Sequence, residues 1–253
     1  MKLIFLGTGT SVGVPTIGCQ CAVCKSSNQH DKRLRSSVIV ETESTRVLVD
    51  CGPDFRQQML AQEFRRLDAV LLTHIHYDHV GGLDDLRPFC KFGEINVYAD
   101  DNTSTGLRHT IPYCFEAHRY PGTPSINLNV IKPHTPLNVG DLSIIPVQVM
   151  HDKLPILGFR FGSLMYITDM KTVAETEFKY FKGVKTLVVN ALRFAPDHHS
   201  HLTVSEAIDF SKKVGAERTF FTHICHDMGF HDEVNAKLPS GFSLAYDGLV
   251  VEI

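Results

Sequence analysis

A dense group of potential metal ligands follows the apolar run Ala69–Leu72, as Thr73-His74-Ile75-His76-Tyr77-Asp78-His79. If a strand ends at Leu72, the two-residue alternation of extended chain places the first two histidines on one side. The aspartate and the last histidine then open a helix, and Gly81-Gly82 allows close backbone passage. Imidazole and carboxylate suit zinc, manganese or iron(II). Four such donors within six residues are more than a single ion would readily bind. The spacing therefore predicts a metal centre.

Three more residues with ligand-type side chains stand directly after apolar runs. They are His151 after Ile145–Met150, Asp169 after Leu164–Thr168, and His223 after Phe220–Thr222. Donors at the ends of several strands converge on one rim of a sheet, where functional sites are usually built. One histidine after a strand is more often an ordinary hydrogen-bonded residue. Because the pattern recurs in a chain that already has the first cluster, we expect the three residues to join it.

Three of the seven cysteines form a second cluster, Cys19-x-Cys21-x-x-Cys24. In a cytosolic chain this spacing favours metal binding over disulfides. The alternative is three unliganded thiols, although clustered exposed thiols are a liability without a metal. The other cysteines are expected to be small buried apolar residues, and they are Cys51, Cys90, Cys114 and Cys225.

The elements that must position these residues are read from apolar periodicity and turn signals. Strands are predicted over Leu3–Leu6, Ser37–Glu41, Arg46–Val49, Ala69–Leu72, Gly93–Ala99, Ile126–Ile131, Leu142–Val149, Gly158–Phe161, Leu164–Thr168, Thr186–Leu192, Arg218–Thr222 and Ser243–Ile253. Helices are predicted over Pro53–Phe64 and after two capping boxes, Thr172-x-x-Glu175 and Thr203-x-x-Glu206; Asn102–Ala117 is helical or irregular. Strands early and late with helices between them predict one α/β domain over residues 1–253, a four-layer αββα sandwich.

Composition and net charge limit the classes of function to be considered. The 253 residues are 43% hydrophobic and 21% charged, which is globular. The net charge of −3 gives no electrostatic case for a long nucleic-acid footprint. No apolar run approaches the roughly 20 residues that span a bilayer. Met1–Leu6 is read as a strand because Gly7-Thr8-Gly9-Thr10 cuts the apolar region too short for a secretion signal, so we expect a cytoplasmic protein with no membrane partner.

The ligand-type residues, in order and approximate spacing, resemble the dinuclear set of the metallo-β-lactamase-fold hydrolases. The resemblance implies that one metal is bound by His74, His76 and His151, the other by Asp78, His79 and His223, and that Asp169 bridges both. Asp50, in Val47-Leu48-Val49-Asp50-Cys51-Gly52, matches the structural aspartate of that family. The likeness extends from Leu6-Gly7-Thr8-Gly9 to Tyr246-Asp247-Gly248, essentially the whole chain. It is specific for fold and metals, and much less so for substrate.

A narrower resemblance concerns the cysteine cluster. With His226, three residues after His223, it is similar to the extra zinc site of the phosphoribosyl cyclic phosphate phosphodiesterases of the carbon–phosphorus lyase pathway. The implied structural zinc is bound by Cys19, Cys21, Cys24 and His226. Three thiolates and an imidazole close a tetrahedral zinc with no open position. Such a site would join the loop after the first strand to the loop that carries His223.

The implied chemistry is hydrolysis. Two divalent ions share and deprotonate a water, then stabilise an in-line displacement at phosphorus or attack at a carbonyl. The ligands accept either zinc or manganese. Asp78 and Asp169 would act as catalytic ligands. His201, 22 residues before His223, stands where the resembled phosphodiesterases have a histidine that binds the phosphoryl oxygen and acts as a general acid; the neighbouring His198 and His199 remain alternatives for this role.

The preferred function is therefore a dinuclear-metal-dependent phosphodiesterase acting on small cyclic phosphodiesters, such as 5-phosphoribosyl 1,2-cyclic phosphate, through a metal-bridging hydroxide. One alternative is an endoribonuclease of the tRNA 3′-processing type, which shares the metal set, although a basic segment for gripping tRNA is missing. Another is a non-catalytic zinc-stabilised binding module, which would have little need of all seven ligands. A homodimer is expected from the family. The natural substrate is not specified by these patterns.

Overall fold

Two seven-stranded β-sheets lie at the centre of the structure, a computed structural model that describes residues 1–116 and 120–253. The strands, numbered along the chain, are β1 Lys2–Gly7, β2 Ser37–Glu41, β3 Arg46–Val49, β4 Ala69–Leu71, β5 Ile95–Ala99, β6 Ile126–Val130, β7 Leu137–Val139, β8 Leu142–His151, β9 Leu154–Phe161, β10 Leu164–Tyr166, β11 Thr186–Asn190, β12 Arg218–Thr222, β13 Phe242–Leu244 and β14 Val250–Glu252. The order is β14-β1-β2-β3-β4-β5-β6 in the first sheet and β13-β12-β11-β10-β9-β8-β7 in the second.

Helices pack on the outer face of each sheet. The α-helices are α1 Ala22–Lys25, α2 Phe55–Leu60, α3 Tyr77–Val80, α4 Asp101–Thr110, α5 Val204–Val214 and α6 His231–Asn235. Shorter 3₁₀ turns and one long 3₁₀ segment lie at Gln29–Asp31, Leu83–Phe92, Pro112–Cys114, Glu175–Tyr180 and His226–Met228. One apolar cluster fills the space between the sheets and one lies under the helices on each side. This layering confirms the predicted αββα sandwich.

The apolar run of β1 has no polar alternation because both of its faces are buried. Leu3 and Phe5 point into the cluster between the sheets. Ile4 and Leu6 point the other way, into the cluster beneath the helices. Successive side chains of a strand face opposite sides, so a strand covered on both faces needs an apolar residue at every covered position.

Several predicted elements differ in extent. The helix predicted over Pro53–Phe64 is confined to α2, β7 was not predicted, and Ser243–Ile253 divides into β13 and β14. Thr172 does not cap a helix, because its backbone pairs with Met150 in an isolated bridge and stays extended. The capping box at Thr203 does form, with Glu206 bonded in return. For Asn102–Ala117, the structure has α4 and a 3₁₀ turn, and Ala117 lies outside the described residues.

The candidate ligands gather where strands of the two sheets end. Asp50 directly follows β3, His151 ends β8 and His223 directly follows β12. Asp50, Asp169 and His223 have positive φ values of 62°, 57° and 56°. Such values are uncommon for residues other than glycine, and they concentrate at functional sites. Among the described residues, no helix combines the length and apolarity that crossing a bilayer requires.

Candidate metal centre

The first ligand group consists of His74, His76 and His151, whose candidate ligand atoms lie within 4.8 Å of one another. His74 Nε2 and His76 Nδ1 are 3.0 Å apart. Two nitrogens bound at 2.0–2.1 Å to one tetrahedral zinc would be separated by roughly 3.3 Å. The spacing therefore fits three imidazoles around a single cation.

Hydrogen bonds set which nitrogen of each ring is free. The Thr73 hydroxyl donates to the Asp50 carboxylate, so it accepts from His74 Nδ1 at 3.0 Å and leaves Nε2 without a proton. His151 Nδ1 donates to the backbone oxygens of Asp169 and Ser200, at 2.8 and 3.0 Å. Burial lowers the pKa of His74 well below its ordinary value, and the nearby His79 adds to this. Both rings thus leave Nε2 as the nitrogen that can bind a metal.

The second ligand group contains Asp78, His79, Asp169 and His223. His79 Nε2 lies 3.1 Å from Asp78 Oδ2 and 3.2 Å from Asp169 Oδ2. His223 Nδ1 lies 3.1 Å from the same Asp169 oxygen. His79 Nε2 and His223 Nε2 are both fully enclosed by protein, and neither makes a well-aligned hydrogen bond. Buried polar atoms of this kind carry a desolvation cost, and a cation between His79 Nε2 and the two carboxylates would remove it for His79.

The charge of this group also calls for a cation. Burial opposes protonation of His79, but Asp169, Asp50 and Asp78 outweigh it and raise the pKa of His79 well above its ordinary value. The carboxylates therefore favour a positive charge, such as a proton, at a fully buried imidazole. Metal binding requires unprotonated ligands and releases such protons, so a divalent ion can replace the charge that the proton supplies.

Asp169 connects the two groups. Its carboxylate reaches His79 and His223, while its backbone oxygen accepts from His151 of the first group. Its backbone is in the left-handed region, with a φ of 57°. The structure thus brings all seven predicted ligand residues to one place, in the two groups that the resemblance implied.

His201 borders this centre. Its Nδ1 lies 3.7 Å from Asp169 Oδ1, and its ring stacks on His223 with centroids 4.7 Å apart. Burial lowers the pKa of His201 to about 3, and His223 adds to this effect. The ring of His198 lies beside that of His201, with centroids 4.9 Å apart, and His199 is exposed. Of the three adjacent histidines, His201 is the one that faces the carboxylate shared by both groups.

The cysteine cluster closes around His226. The Sγ atoms of Cys21 and Cys19 lie 3.4 and 3.7 Å from His226 Nδ1, and the four ligand atoms of the cluster, with Cys24, lie within 4.8 Å of one another. The backbone N–H of Cys24 donates to Cys21 Sγ and lowers the pKa of that thiol to about 6. Ligands at tetrahedral spacing with one thiolate already favoured fit a closed zinc site. None of these three cysteines forms a disulfide.

Comparison with known proteins places this geometry in a family. Residues 45–224 match the model of the beta-lactamase superfamily domain. The chain belongs to the beta-lactamase superfamily. Its fold is accordingly that of a family composed mostly of metal-dependent hydrolases.

The proteins to which the chain is similar carry the names of different activities. A crystal structure described as a new diphosphatase from the PhnP family is 39% identical, with a TM-score of 0.92, covering 100% of this chain and 97% of that chain. A Porphyromonas gingivalis protein named octanoyltransferase is 45% identical over 98% of this chain and 51% of its own length. A Bradyrhizobium ribonuclease Z is 31% identical over 64% of this chain and 50% of its own. The chain thus spans about half the length of these two curated relatives.

A third group of ligand-type residues was not singled out from the sequence, and its geometry does not fit a metal. It comprises His30, His231 and Asp232. Arg33 Nη2 donates to His231 Nδ1 at 3.1 Å, so the proton of the neutral ring is on Nε2. Burial, followed by Arg33 and His30, lowers the pKa of His231 to about 4. His30 meanwhile stacks on Tyr246 at 4.1 Å, and its Nδ1 lies 3.5 Å from Asp232 Oδ1, so contacts within the protein already engage this group.

Asp50 lies behind the metal ligands and orients them. Its carboxylate accepts from His79 Nδ1 at 2.7 Å and from the Thr73 backbone and hydroxyl. Asp50→Asn keeps the shape but removes the charge that supports His79. We expect metal affinity or turnover to fall by about 10- to 100-fold, measured by chelator competition and steady-state kinetics. Asp141→Asn, a change to an exposed carboxylate, is the control; unchanged affinity in Asp50→Asn would contradict this role.

Proposed function

We propose that the chain is a dinuclear-metal-dependent phosphodiesterase that hydrolyses small phosphodiesters, including cyclic ones such as 5-phosphoribosyl 1,2-cyclic phosphate. The observation that carries the proposal is the position of Asp169, which lies between two ligand groups and beside His201. A single metal would not need seven converging ligands. Two adjacent divalent ions suit displacement at phosphorus.

Different residues would have different roles in such a reaction. His74, His76 and His151 would hold one ion, Asp78, His79 and His223 the other, and Asp169 would contact both. When bound, the ions supply Lewis acidity and activate a water as the nucleophile. His201 would donate a hydrogen bond to a phosphoryl oxygen. The negative charge of the substrate beside it favours the imidazolium, which could then protonate the leaving oxygen.

The relatives support this proposal unequally. The diphosphatase covers the whole chain, and its name implies cleavage at phosphorus. The octanoyltransferase name belongs to a protein of about twice the matched length, so it assigns no acyl transfer to this chain. The cysteine cluster would hold a structural zinc, giving about three metal ions in all.

Ribonuclease activity of the tRNA 3′-processing type is the second candidate, because one relative is named ribonuclease Z. The net charge of −3 disfavours this candidate, since affinity for a polynucleotide depends on neutralising its phosphates with basic side chains. Cleavage of a precursor tRNA faster than of small diesters would favour this candidate over ours.

Turnover of bis(p-nitrophenyl) phosphate tests the proposal. Protein loaded with zinc or manganese is expected to release p-nitrophenol, and His76→Ala should abolish release because one ion loses a ligand. His109→Ala, which changes an exposed histidine of α4, is the matched control, and circular dichroism checks folding. If the loaded wild-type protein is inert with both metals, on this diester and on a panel of cyclic phosphodiesters, the proposal is wrong.

A further inference from the structure

A cavity of about 240 Å³ lies beside the metal-binding loop. We call it the Tyr77 cavity, and its walls include Ile75, Tyr77, Asp84, Leu107, Ile111 and Tyr113. Ile75 and Tyr77 alternate along the chain with His74, His76 and Asp78. The rim of the cavity and the rim of the metal centre are therefore formed by the same short stretch of chain, with adjacent Cα atoms about 3.8 Å apart.

Tyr77 offers an exposed aromatic face at the cavity. The residue is 70% exposed, and its ring has a close neighbour in the same loop. Here the ring lies over Gly81, where an added Cβ would be only 2.6 Å from Tyr77 Cε2. The glycine thus makes room for the ring. An exposed aromatic face is a stacking platform for another flat ring.

The wall of the cavity also contains the carboxylate of Asp84. Asp84 Oδ1 accepts from the Tyr113 hydroxyl at 2.9 Å and from Arg87 at 2.7 Å. Within residues 1–116 and 120–253, no hydrogen bond engages Asp84 Oδ2. That oxygen is available to accept from N–H groups of a ligand, whereas an alkyl group packed against it would desolvate it without supplying a hydrogen bond.

The size of the cavity suits one part of a ligand. Pockets that enclose a whole drug-sized molecule measure about 300–1,000 Å³, so this one accepts a single ring system while the rest of the ligand lies outside. We propose that the Tyr77 cavity binds the nucleobase of a nucleotide-containing phosphodiester whose phosphate lies at the metal centre. The proposal rests on the proposed function and names the substrate class more narrowly.

Equilibrium binding tests this without turnover. Metal-loaded protein is titrated calorimetrically with adenosine 5′-monophosphate and with ribose 5-phosphate, which lacks the base. Base–aromatic stacking corresponds to a gain of at least about fivefold, so the nucleotide should bind roughly tenfold more tightly. Tyr77→Ala should remove most of this preference, and Tyr77→Phe should keep it because the ring face remains.

Tyr120→Ala is the matched control, since Tyr120 is an exposed tyrosine elsewhere on the surface; it should keep the preference. Equal affinity of the wild-type protein for the two ligands, or an undiminished preference in Tyr77→Ala, would overturn the subsite. The two proposals fail separately. A base preference in a protein that hydrolyses no diester refutes only the proposed function, and turnover without a base preference refutes only the subsite.

Discussion

Asp169→Asn is expected to reduce kcat for bis(p-nitrophenyl) phosphate by at least roughly a thousandfold. The carboxylate lies within 3.2 Å of ring nitrogens of His79 and His223 and is the only side chain that we assign to both ions. Asparagine preserves the shape but removes the negative charge that offsets repulsion between two cations. Elemental analysis should show loss of one or both catalytic ions, so kinetics and metal content are measured on the same samples.

The control for this variant is chosen by backbone conformation. Asp152 has a φ of 53°, close to the 57° of Asp169, and its side chain is exposed. Asparagine tolerates the left-handed region, so Asp152→Asn should retain turnover and metal. If Asp169→Asn keeps both ions and a kcat within tenfold of the wild type, the assignment of Asp169 as a shared ligand is wrong.

Cys21→Ser is expected to remove one metal ion and to lower the melting temperature by roughly 10 °C or more. Structural zinc sites contribute several kcal/mol to folding, and each kcal/mol corresponds to about 2–4 °C in a chain of this size. The cluster joins the segment around α1 to the turn at His226, which lies three residues after His223. Loss of the zinc should therefore also weaken metal binding at the catalytic site. Thermal unfolding with elemental analysis measures both effects.

Cys90→Ser serves as the control because Cys90 lies outside the cluster and serine can still accept from the Ser125 backbone N–H. It should keep the wild-type metal content and lose little stability. If Cys21→Ser matches this control in both melting temperature and metal content, the cysteines do not hold a structural ion.

The sequence predicted the structure best where ligand-type residues lie in a segment with clear strand periodicity. In Thr73–His79, strand alternation alone predicts that His74 and His76 share a side, and they do. The central strands β1 and β3 are visible in the sequence because their runs of consecutive apolar residues are typical of strands buried on both faces. Thr172 shows the limit of local signals: its capping pattern is intact, but a bridge to Met150 holds its backbone extended.

The sequence by itself determined the αββα layering, the identities of the candidate ligands and the presence of a cysteine cluster. These depend on residue type and on spacing along the chain. Only the tertiary structure decided which nitrogen each histidine presents, through Thr73 and the Ser200 carbonyl, and that His201 rather than its neighbours faces Asp169. It also decided that Arg33 makes the group around His231 unfit for a metal. Most of these features depend on hydrogen-bond partners distant in sequence, such as Ser200 for His151 and Asp50 behind Thr73. Short-range patterns carry no record of such partners.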